Sequence, residues 1–490
     1  MADDHLARAA PVVDRIFGFA ARAPDKPALI VTGDGARTLT YREFAARIAL
    51  MRGFLARQPL ALDRVAVLCI ADLAEVWIIG LALRGLGVTT LHFNSPDYID
   101  RLGFDRPTVV AVAAESWPGL AEAAARGGGL LILTPREVYD GWPEAEAAAP
   151  APGPAGGHIL LTSGTTGVYK KVLITAAGEA ANLAFRTDLY GLSGQSIVNV
   201  FSMGGWTSVG YHLPATVWSL GGGAVFHHGP DSWRSLAQAP CTAAFTHPEL
   251  LAALLATPED ALARNDAMML MVTSGPLSRA NWQAARERLT RDVRTCIGST
   301  ETGGISLTRI ETADDLNWHR IHPGREVQVV DEADRPLPAG AVGVLRVRAT
   351  GVDAYLGDAP ASAAFFRGGY FYPGDLGVRR DDGRIALQGR VTDVINVMGH
   401  KRAAAPIEAR LQDSLGAPAV CVFSVPGADG EAVHVAIQPG QPITAEQLKA
   451  ALLEALPGVA GAHVHMVEAF PRNATGKIDR AALRARTLGR

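Results

Sequence analysis

Between Leu160 and Lys170 an apolar, strand-like run ends in Thr162-Ser163-Gly164-Thr165-Thr166-Gly167-Val168-Tyr169-Lys170. Glycines permit positive φ and close backbone approach, so successive N–H groups can turn inward on a phosphate. The hydroxyls of Thr162, Ser163, Thr165 and Thr166 add compact donors, and Lys170 adds positive charge. No Gly-Lys-Ser/Thr closes the loop, so the spacing is not a Walker A element. Standing alone, such a run also reads as a plain turn. Other short runs carry complementary chemistry. Gly298-Ser299-Thr300-Glu301 sets hydroxyls beside a carboxylate that suits a hard cation. Pro373-Gly374-Asp375 offers a carboxylate that can accept hydrogen bonds from hydroxyls, and Gly476-Lys477 offers a mobile point charge. Singly, these have bland readings too: a helix start, a β-turn and a surface charge.

The elements that must position these runs follow a regular rhythm. Val65–Ile70, Val88–Phe93, Val109–Val112 and Leu130–Leu133 read as strands, with helices over Leu73–Leu83 and Leu120–Ala125. Gly85 and Gly87 fall where a helix C-cap and turn want them. Thr40-x-x-Glu43 is a capping-box pattern that opens a helix at Tyr41. Pro143–Gly157 is rich in Ala, Pro and Gly and is expected to be a surface connection. Strands resume at Val198–Val200, Ala224–Phe226, Ala243–Thr246 and Met268–Val272, separated by helices such as Pro248–Ala256 and Arg279–Leu289. The alternation indicates βαβ units and largely parallel pairing. From Glu326 the texture becomes Val-rich alternation with turns at Asp331–Asp334 and Pro338–Gly340, which predicts antiparallel strands. The segment from about Arg390 has its own α+β rhythm: Ala404–Leu415, Ala419–Val425, Val433–Gln438, Thr444–Leu456 and Val464–Val467.

Composition excludes several classes of function. The chain has 490 residues, 48% hydrophobic and 19% charged, which is ample for a folded core. A net charge of −3 gives no electrostatic case for nucleic acid or an anionic membrane surface. Cys69, Cys241, Cys296 and Cys421 form no CxxC pair, so neither a disulfide framework nor a zinc site is expected. The apolar run Val76–Leu91 is broken by Arg84 and glycines and is not a membrane span. The N-terminus lacks the apolar core of a signal peptide, so the expected location is cytoplasmic.

Taken in order, the motifs resemble the signatures of the adenylate-forming superfamily, which contains acyl-CoA synthetases, nonribosomal-peptide adenylation domains and luciferases. Thr162–Lys170 is similar to the family's phosphate loop, with Tyr169 and Lys171 where the family places Pro and Gly. Val272–Ser278 resembles the adenine-lining segment and gives Ser274 and Gly275 contacts to the base. Gly298-Ser299-Thr300-Glu301 resembles the Tyr-Gly-x-Thr-Glu core, with Ile297 replacing the aromatic. The resemblance implies that Thr300 contacts the α-phosphate and that Glu301 holds Mg²⁺. Tyr372–Gly377 resembles the Thr-Gly-Asp-Leu core, so Asp375 is implied to hold the ribose, followed by Arg390 as a second ribose contact. Val391–Lys401 resembles the hinge and the loop after it, with Thr392 at the pivot and Gly399 lining the thiol-acceptor tunnel. Pro471–Arg480 is similar to the C-terminal lysine motif, which makes Lys477 the residue that bridges carboxylate and α-phosphate.

The resemblance implies an α/β fold. A large N-terminal adenylation domain (residues 1–388) of parallel βαβ layers plus a small β-barrel-like part is expected, then a hinge (389–393) and a small mobile α+β C-terminal domain (394–490). It also implies a ligase that uses ATP and Mg²⁺ to activate a carboxylic acid. The acceptor is coenzyme A or a phosphopantetheinyl carrier protein acting in trans. In amino-acid-activating relatives a Phe-Asp-x-Ser motif holds the substrate ammonium, and here Gly205-Trp206-Thr207-Ser208 stands in its place. An α-amino acid is therefore not expected, because its ammonium loses its partner. Trp206, with Met203, Gly205 and Ile297, is expected to border a pocket for a compact or aromatic acid, unless Trp206 is simply a core residue. Delivery to an amine, a luciferase-like oxygenation and a non-catalytic nucleotide-binding relative are the alternatives. Intact Lys477 argues against the last.

Overall fold

A computed structural model of the chain describes residues 10–93, 99, 102–104, 106–112, 119–126, 129–135, 138, 155–162, 169–397, 400–427, 430–457, 461–472 and 478–489. Contacts gather these residues into two units: one running to Leu316 and including Ala349–Ala364, the other comprising Asn317–Arg348 and Phe365 onward.

The first unit is built on two mainly parallel sheets. One has six strands in the order Leu130–Thr134, Thr108–Val112, Ala66–Leu68, Thr90–His92, His158–Thr162 and Lys170–Ile174. All its pairs are parallel except the last, which is antiparallel. The other has eight strands in the order Gly303–Arg309, Asp292–Ser299, Met269–Val272, Ala243–Thr246, Ile197–Asn199, Gly223–His228, Pro27–Gly33 and Arg37–Thr40. Its interior pairs are parallel, and an antiparallel strand closes each edge. In both sheets the strand order reverses part-way, and in open α/β sheets ligands bind beyond the C-terminal ends of strands at such a reversal.

The expected helices form, and their end signals explain where. Thr40 and Glu43 make both halves of the capping box on the Tyr41–Leu55 helix. Asp72 caps the Leu73–Gly85 helix by accepting from the N–H groups of Ala74 and Glu75. That helix is buried along nearly its whole length and therefore reads as apolar all round. The Ser208–Leu220 helix is buried in the same way, carries Pro214 internally and ends at Gly221 in the left-handed conformation. It was not among the expected helices: Gly210, Pro214 and the β-branched Val209, Thr216 and Val217 are weak helix formers, and burial on every side leaves no amphipathic period to outweigh them.

One expectation is corrected. The C-terminal end of the stretch read as a surface connection is interior: Gly156 and Gly157 are buried. A Cβ on Gly156 would stand 2.0 Å from the Val88 carbonyl oxygen, so glycine is there for close backbone approach and not for a flexible linker. Residues 143–154 of that stretch lie outside the described residues.

The second unit holds antiparallel strands, as the Val-rich texture predicts. Val327–Val330 pairs with Val342–Arg348, which also pairs with Tyr370–Phe371 and Asp375–Arg379. Asp375–Arg379 continues to Ile385–Arg390. The last segment places the Ala404–Leu415 and Ala445–Ala455 helices with a three-stranded sheet, Ala419–Gly427, Gly430–Gln438 and Ala462–Met466, around one apolar core. Among the described residues no helix is long and apolar enough to cross a membrane.

Candidate active site

The topology of the first unit explains why residues so far apart in sequence can meet. In the eight-stranded sheet, Met203 follows Ile197–Asn199, Ser274 and Gly275 follow Met269–Val272, and Thr300 and Glu301 follow Asp292–Ser299. In the six-stranded sheet, Thr162 ends its strand where the hydroxyl loop begins. Each candidate thus leaves the carboxyl end of a parallel strand.

Thr300, Glu301 and Thr302 form the turn between Asp292–Ser299 and Gly303–Arg309, where Ser299 pairs with Gly303. The turn is knit by hydroxyls: Ser299 Oγ lies 3.0 Å from Thr302 Oγ1 and accepts the Thr302 N–H at 3.2 Å. Gly303 takes φ +65, which a side chain adopts reluctantly. A Cβ on Gly298 would meet the Gly303 carbonyl oxygen at 2.4 Å, so this strand tolerates only glycine there. The helix start that Thr-Glu also suggested is therefore a hairpin turn.

Glu301 is only 7% exposed, and its Oε1 accepts from the Tyr355 hydroxyl at 2.6 Å. Lys170 Nζ stands 5.2 Å from the centre of the same tyrosine ring. The lysine of the hydroxyl loop and the carboxylate of the hairpin are thus linked through Tyr355, on a segment tied down where the Leu356 N–H donates to Lys171 O at 2.8 Å. Lys171 reaches inward: its Nζ donates to Leu102 O at 2.7 Å and lies over the Phe104 ring. Burial lowers its pKa, partly offset by Asp358. Tyr169 packs near Phe93, with ring centres 5.7 Å apart. Both departures from the family's loop therefore anchor the strand that leaves it. Ser163, Gly164, Thr165 and Thr166 lie outside the described residues.

Ser274 is exposed and holds φ +70, which is costly for a residue with a Cβ and occurs mainly at functional turns. Trp206 is half-buried, with His92 edge-on at 4.9 Å and Phe93 at 5.9 Å. A Cβ on Gly204 would fall 1.8 Å from the Trp206 ring, so the indole lies directly on a bare glycine. Met203 and Ile297 are half-buried, and Gly205 is buried.

In the second unit Asp375 pairs in register with Arg390, and their side chains form an ion pair at 3.0 Å. Arg390 also donates to Pro373 O at 2.6 Å, and Gly374 takes φ +80 to permit the turn. Thr392 is exposed, and its hydroxyl donates to Asp393 Oδ1 at 3.2 Å. Asp393 also pairs with Arg480 at 3.1 Å, and Arg480 reaches Glu408 at 2.7 Å. Gly399 and Lys477 lie outside the described residues. The chain on either side of the lysine run is joined: Arg472 bridges Ile478, and the Asp479 N–H donates to Pro471 O at 2.8 Å.

A model of the AMP-binding enzyme family matches residues 17–353. This chain belongs to that family. It is therefore an adenylate-forming enzyme of the AMP-forming ligase type. It is 27% identical to a 4-chlorobenzoate–CoA ligase from Arthrobacter sp, across 94% of this chain and 92% of the relative. Its fold matches ATP-bound MatB from Rhodopseudomonas palustris with a TM-score of 0.83 at 22% identity, covering 97% and 98% of the two chains. It also matches the amide bond synthetase McbA from Marinactinospora thermotolerans with a TM-score of 0.76 at 21% identity, covering 96% and 99%.

Tyr355, His92 and His158, which contact the candidate residues Glu301, Trp206 and Gly205, are passed over by motif reading. A lone tyrosine in the Gly351–Tyr355 loop has no spacing signature. The histidines did leave a signal, since a polar residue inside an apolar strand run must find buried partners.

Proposed function

We propose that this enzyme joins a carboxylic acid to AMP, releasing pyrophosphate, and then passes the acyl group to a thiol of coenzyme A or of a carrier protein's pantetheine. A carboxylate is a poor electrophile because its leaving group is oxide. Attack of its oxygen on the α-phosphorus of ATP breaks the bond to pyrophosphate, and AMP then leaves when the thiol attacks. The observation that carries this reading is the Lys170–Tyr355–Glu301 line at the carboxyl ends of parallel strands.

Glu301 offers one hard oxygen in a nearly buried setting, which fits Mg²⁺, an ion that takes one or two carboxylates with substrate phosphates and water. Bound there, the ion would offset charge on the phosphate oxygens. In the same reading Thr162, Ser163, Gly164, Thr165, Thr166 and Lys170 hold the phosphates. Thr300 with Gly298 and Ser299 faces the α-phosphate, Ser274 and Gly275 the base, and Asp375 with Arg390 the ribose. Lys477 supplies positive charge in the adenylation transition state. Thr392 is the pivot between residues 1–388 and 394–490, and Gly399 lets the thiol arm pass.

Trp206, Met203, Gly205 and Ile297 border the acid in this reading. The aromatic group of His92, Phe93, Tyr169 and Trp206 favours a compact or aromatic acid. Likeness to an amide bond synthetase supports an amine as the alternative acceptor. The test is acid-dependent exchange of labelled pyrophosphate into ATP, followed by product mass with coenzyme A or amines present. Exchange with an aromatic acid, lost in Lys477→Ala while thioester formation from supplied acyl-AMP survives, is the expected result. No exchange with any acid at neutral pH with Mg²⁺ refutes the reading.

A further inference from the structure

The peptide of Gly205, which carries Trp206, is gripped on both sides by buried imidazoles. The Gly205 N–H donates to His92 Nδ1 at 3.0 Å, and the Gly205 carbonyl lies 2.7 Å from His158 Nε2. The partners fix both tautomers. His92 Nε2 faces Ile70 O at 3.2 Å; a carbonyl only accepts, so Nε2 carries the hydrogen and Nδ1 is the acceptor. His158 must donate from Nε2, which leaves its Nδ1 to accept from the Thr90 hydroxyl at 2.9 Å. Both rings are buried, and burial lowers His92 to about 4 and His158 to about 3, so both are neutral near pH 7.

The grip is itself backed by a rigid frame. His158 stacks on Tyr211 at 4.1 Å, nearly parallel, and the Tyr211 hydroxyl donates to Glu179 at 3.0 Å. Glu179 forms a buried ion pair with Arg84 at 2.7 Å. Burial opposes the Arg84 charge, and Glu179 with Tyr211 overrides that and raises its pKa. A small cavity lies against the same peptide, lined by Leu68, Trp77, Gly80, Thr90, His158 and Gly205. Packing does not hold the peptide on that side, so the hydrogen bonds must. On the other side of Gly205, the Trp206 carbonyl accepts the Leu161 N–H at 3.0 Å, one residue before the hydroxyl loop's first threonine.

We infer that His92 and His158 are positioning residues that set Trp206 against the start of the phosphate loop, and so fix which acids the enzyme discriminates. This rests on the reading that Trp206 borders the acid. Removing either imidazole frees the Gly205 peptide, and the indole then moves relative to the loop. ATP KM is expected to hold, because the hydrogen bonds of both rings go to Gly205, Ile70 and Thr90 and to none of the described residues assigned to the nucleotide.

Asn at position 92 can offer an amide oxygen in place of Nδ1, and Gln at position 158 an amide N–H in place of Nε2. The experiment compares His158→Leu, His92→Leu, His158→Gln and His92→Asn with Trp206→Ala by pyrophosphate exchange over a panel of aromatic and aliphatic acids. The Leu variants are expected to raise acid KM roughly tenfold, the scale of one lost buried hydrogen bond, and to reorder the acids with ATP KM unchanged. The amide variants are expected to keep the wild-type order. Leu variants that lower kcat alike for all acids with the order intact overturn the inference. If neither Leu variant folds, an amide variant with a reordered panel overturns it. Trp206→Ala separates the two levels: an unchanged order there refutes the acid-pocket reading itself, whereas reordering by Trp206→Ala but not by the Leu variants refutes only the positioning role.

Discussion

At Glu301 a carboxylate, a phenol and an ammonium share a short line, and each constrains the others. The Tyr355 hydroxyl occupies one oxygen of Glu301 at 2.6 Å, which fixes the carboxylate's rotation and leaves its other oxygen as the natural ligand for a cation. Tyr355→Phe is therefore expected to raise the Mg²⁺ concentration for half-maximal exchange several-fold and to lower the rate about tenfold, the scale of one charge-assisted hydrogen bond. Glu301→Gln is expected to lower the rate at least about a hundredfold. A magnesium titration of pyrophosphate exchange decides it: an unchanged midpoint in Tyr355→Phe shows that the phenol does not tune the carboxylate. Glu301 was legible because it sits in a run of glycines and hydroxyls. Tyr355 was not, because its partner lies 54 residues away and only the fold brings them together.

Among elements, the clearest coupling in the second unit runs through Arg480. This arginine opens the Arg480–Thr487 helix and ties it to Asp393 on one side and Glu408 of the Ala404–Leu415 helix on the other. Glu408 uses its remaining oxygen to accept the Val422 N–H at 2.7 Å, so a sheet strand joins the same knot. Arg480→Gln leaves two carboxylates facing one another. It is expected to cost about 2–3 kcal/mol, less than a fully buried pair because the arginine side chain is 32% exposed. Denaturant midpoints check this, and Glu408→Gln added to Arg480→Gln is expected to recover part of the loss; no recovery refutes the coupling. The elements themselves were largely legible. Ala243–Thr246 and Ala404–Leu415 form with the expected bounds, because strand alternation and helical period are local properties. The salt-bridged knot was invisible, because nothing local in Arg480 says which carboxylates it will meet.

For the whole molecule, the buried histidines set the response to acid. Burial lowers His92 to about 4 and His158 to about 3, and burial, with Arg186 beside it, holds His212 well below its usual value. Their unfolded value is near 6.5, so below that pH the unfolded chain binds more protons than the native one. Stability is then fully present above pH 6.5 and falls as pH drops toward 4 and 3. Each such histidine removes up to about 1.4 kcal/mol per pH unit, against a total of about 5–15 kcal/mol. Thermal midpoints are expected to decline from pH 6.5 to 4.5, and His158→Gln is expected to decline less steeply by one proton's worth. Equal slopes refute the assignment. The parallel sheets and their motif order were legible at this scale, since alternating strands and helices allow few other architectures. How contacts partition the chain was not: the antiparallel strands from Val327 gather with the C-terminal segment, while Ala349–Ala364 returns to the first unit.

The run that carries Lys477 is closed at its base by the Arg472–Ile478 bridge and the bond between Asp479 and Pro471. Arg480 follows Asp479 directly and is itself tied to Asp393 and Glu408. The two ends of the run are thus moored to each other and, through Arg480, to the Ala404–Leu415 helix, so a displacement of Ile478 and Asp479 is transmitted to that helix and to the Asp393 turn.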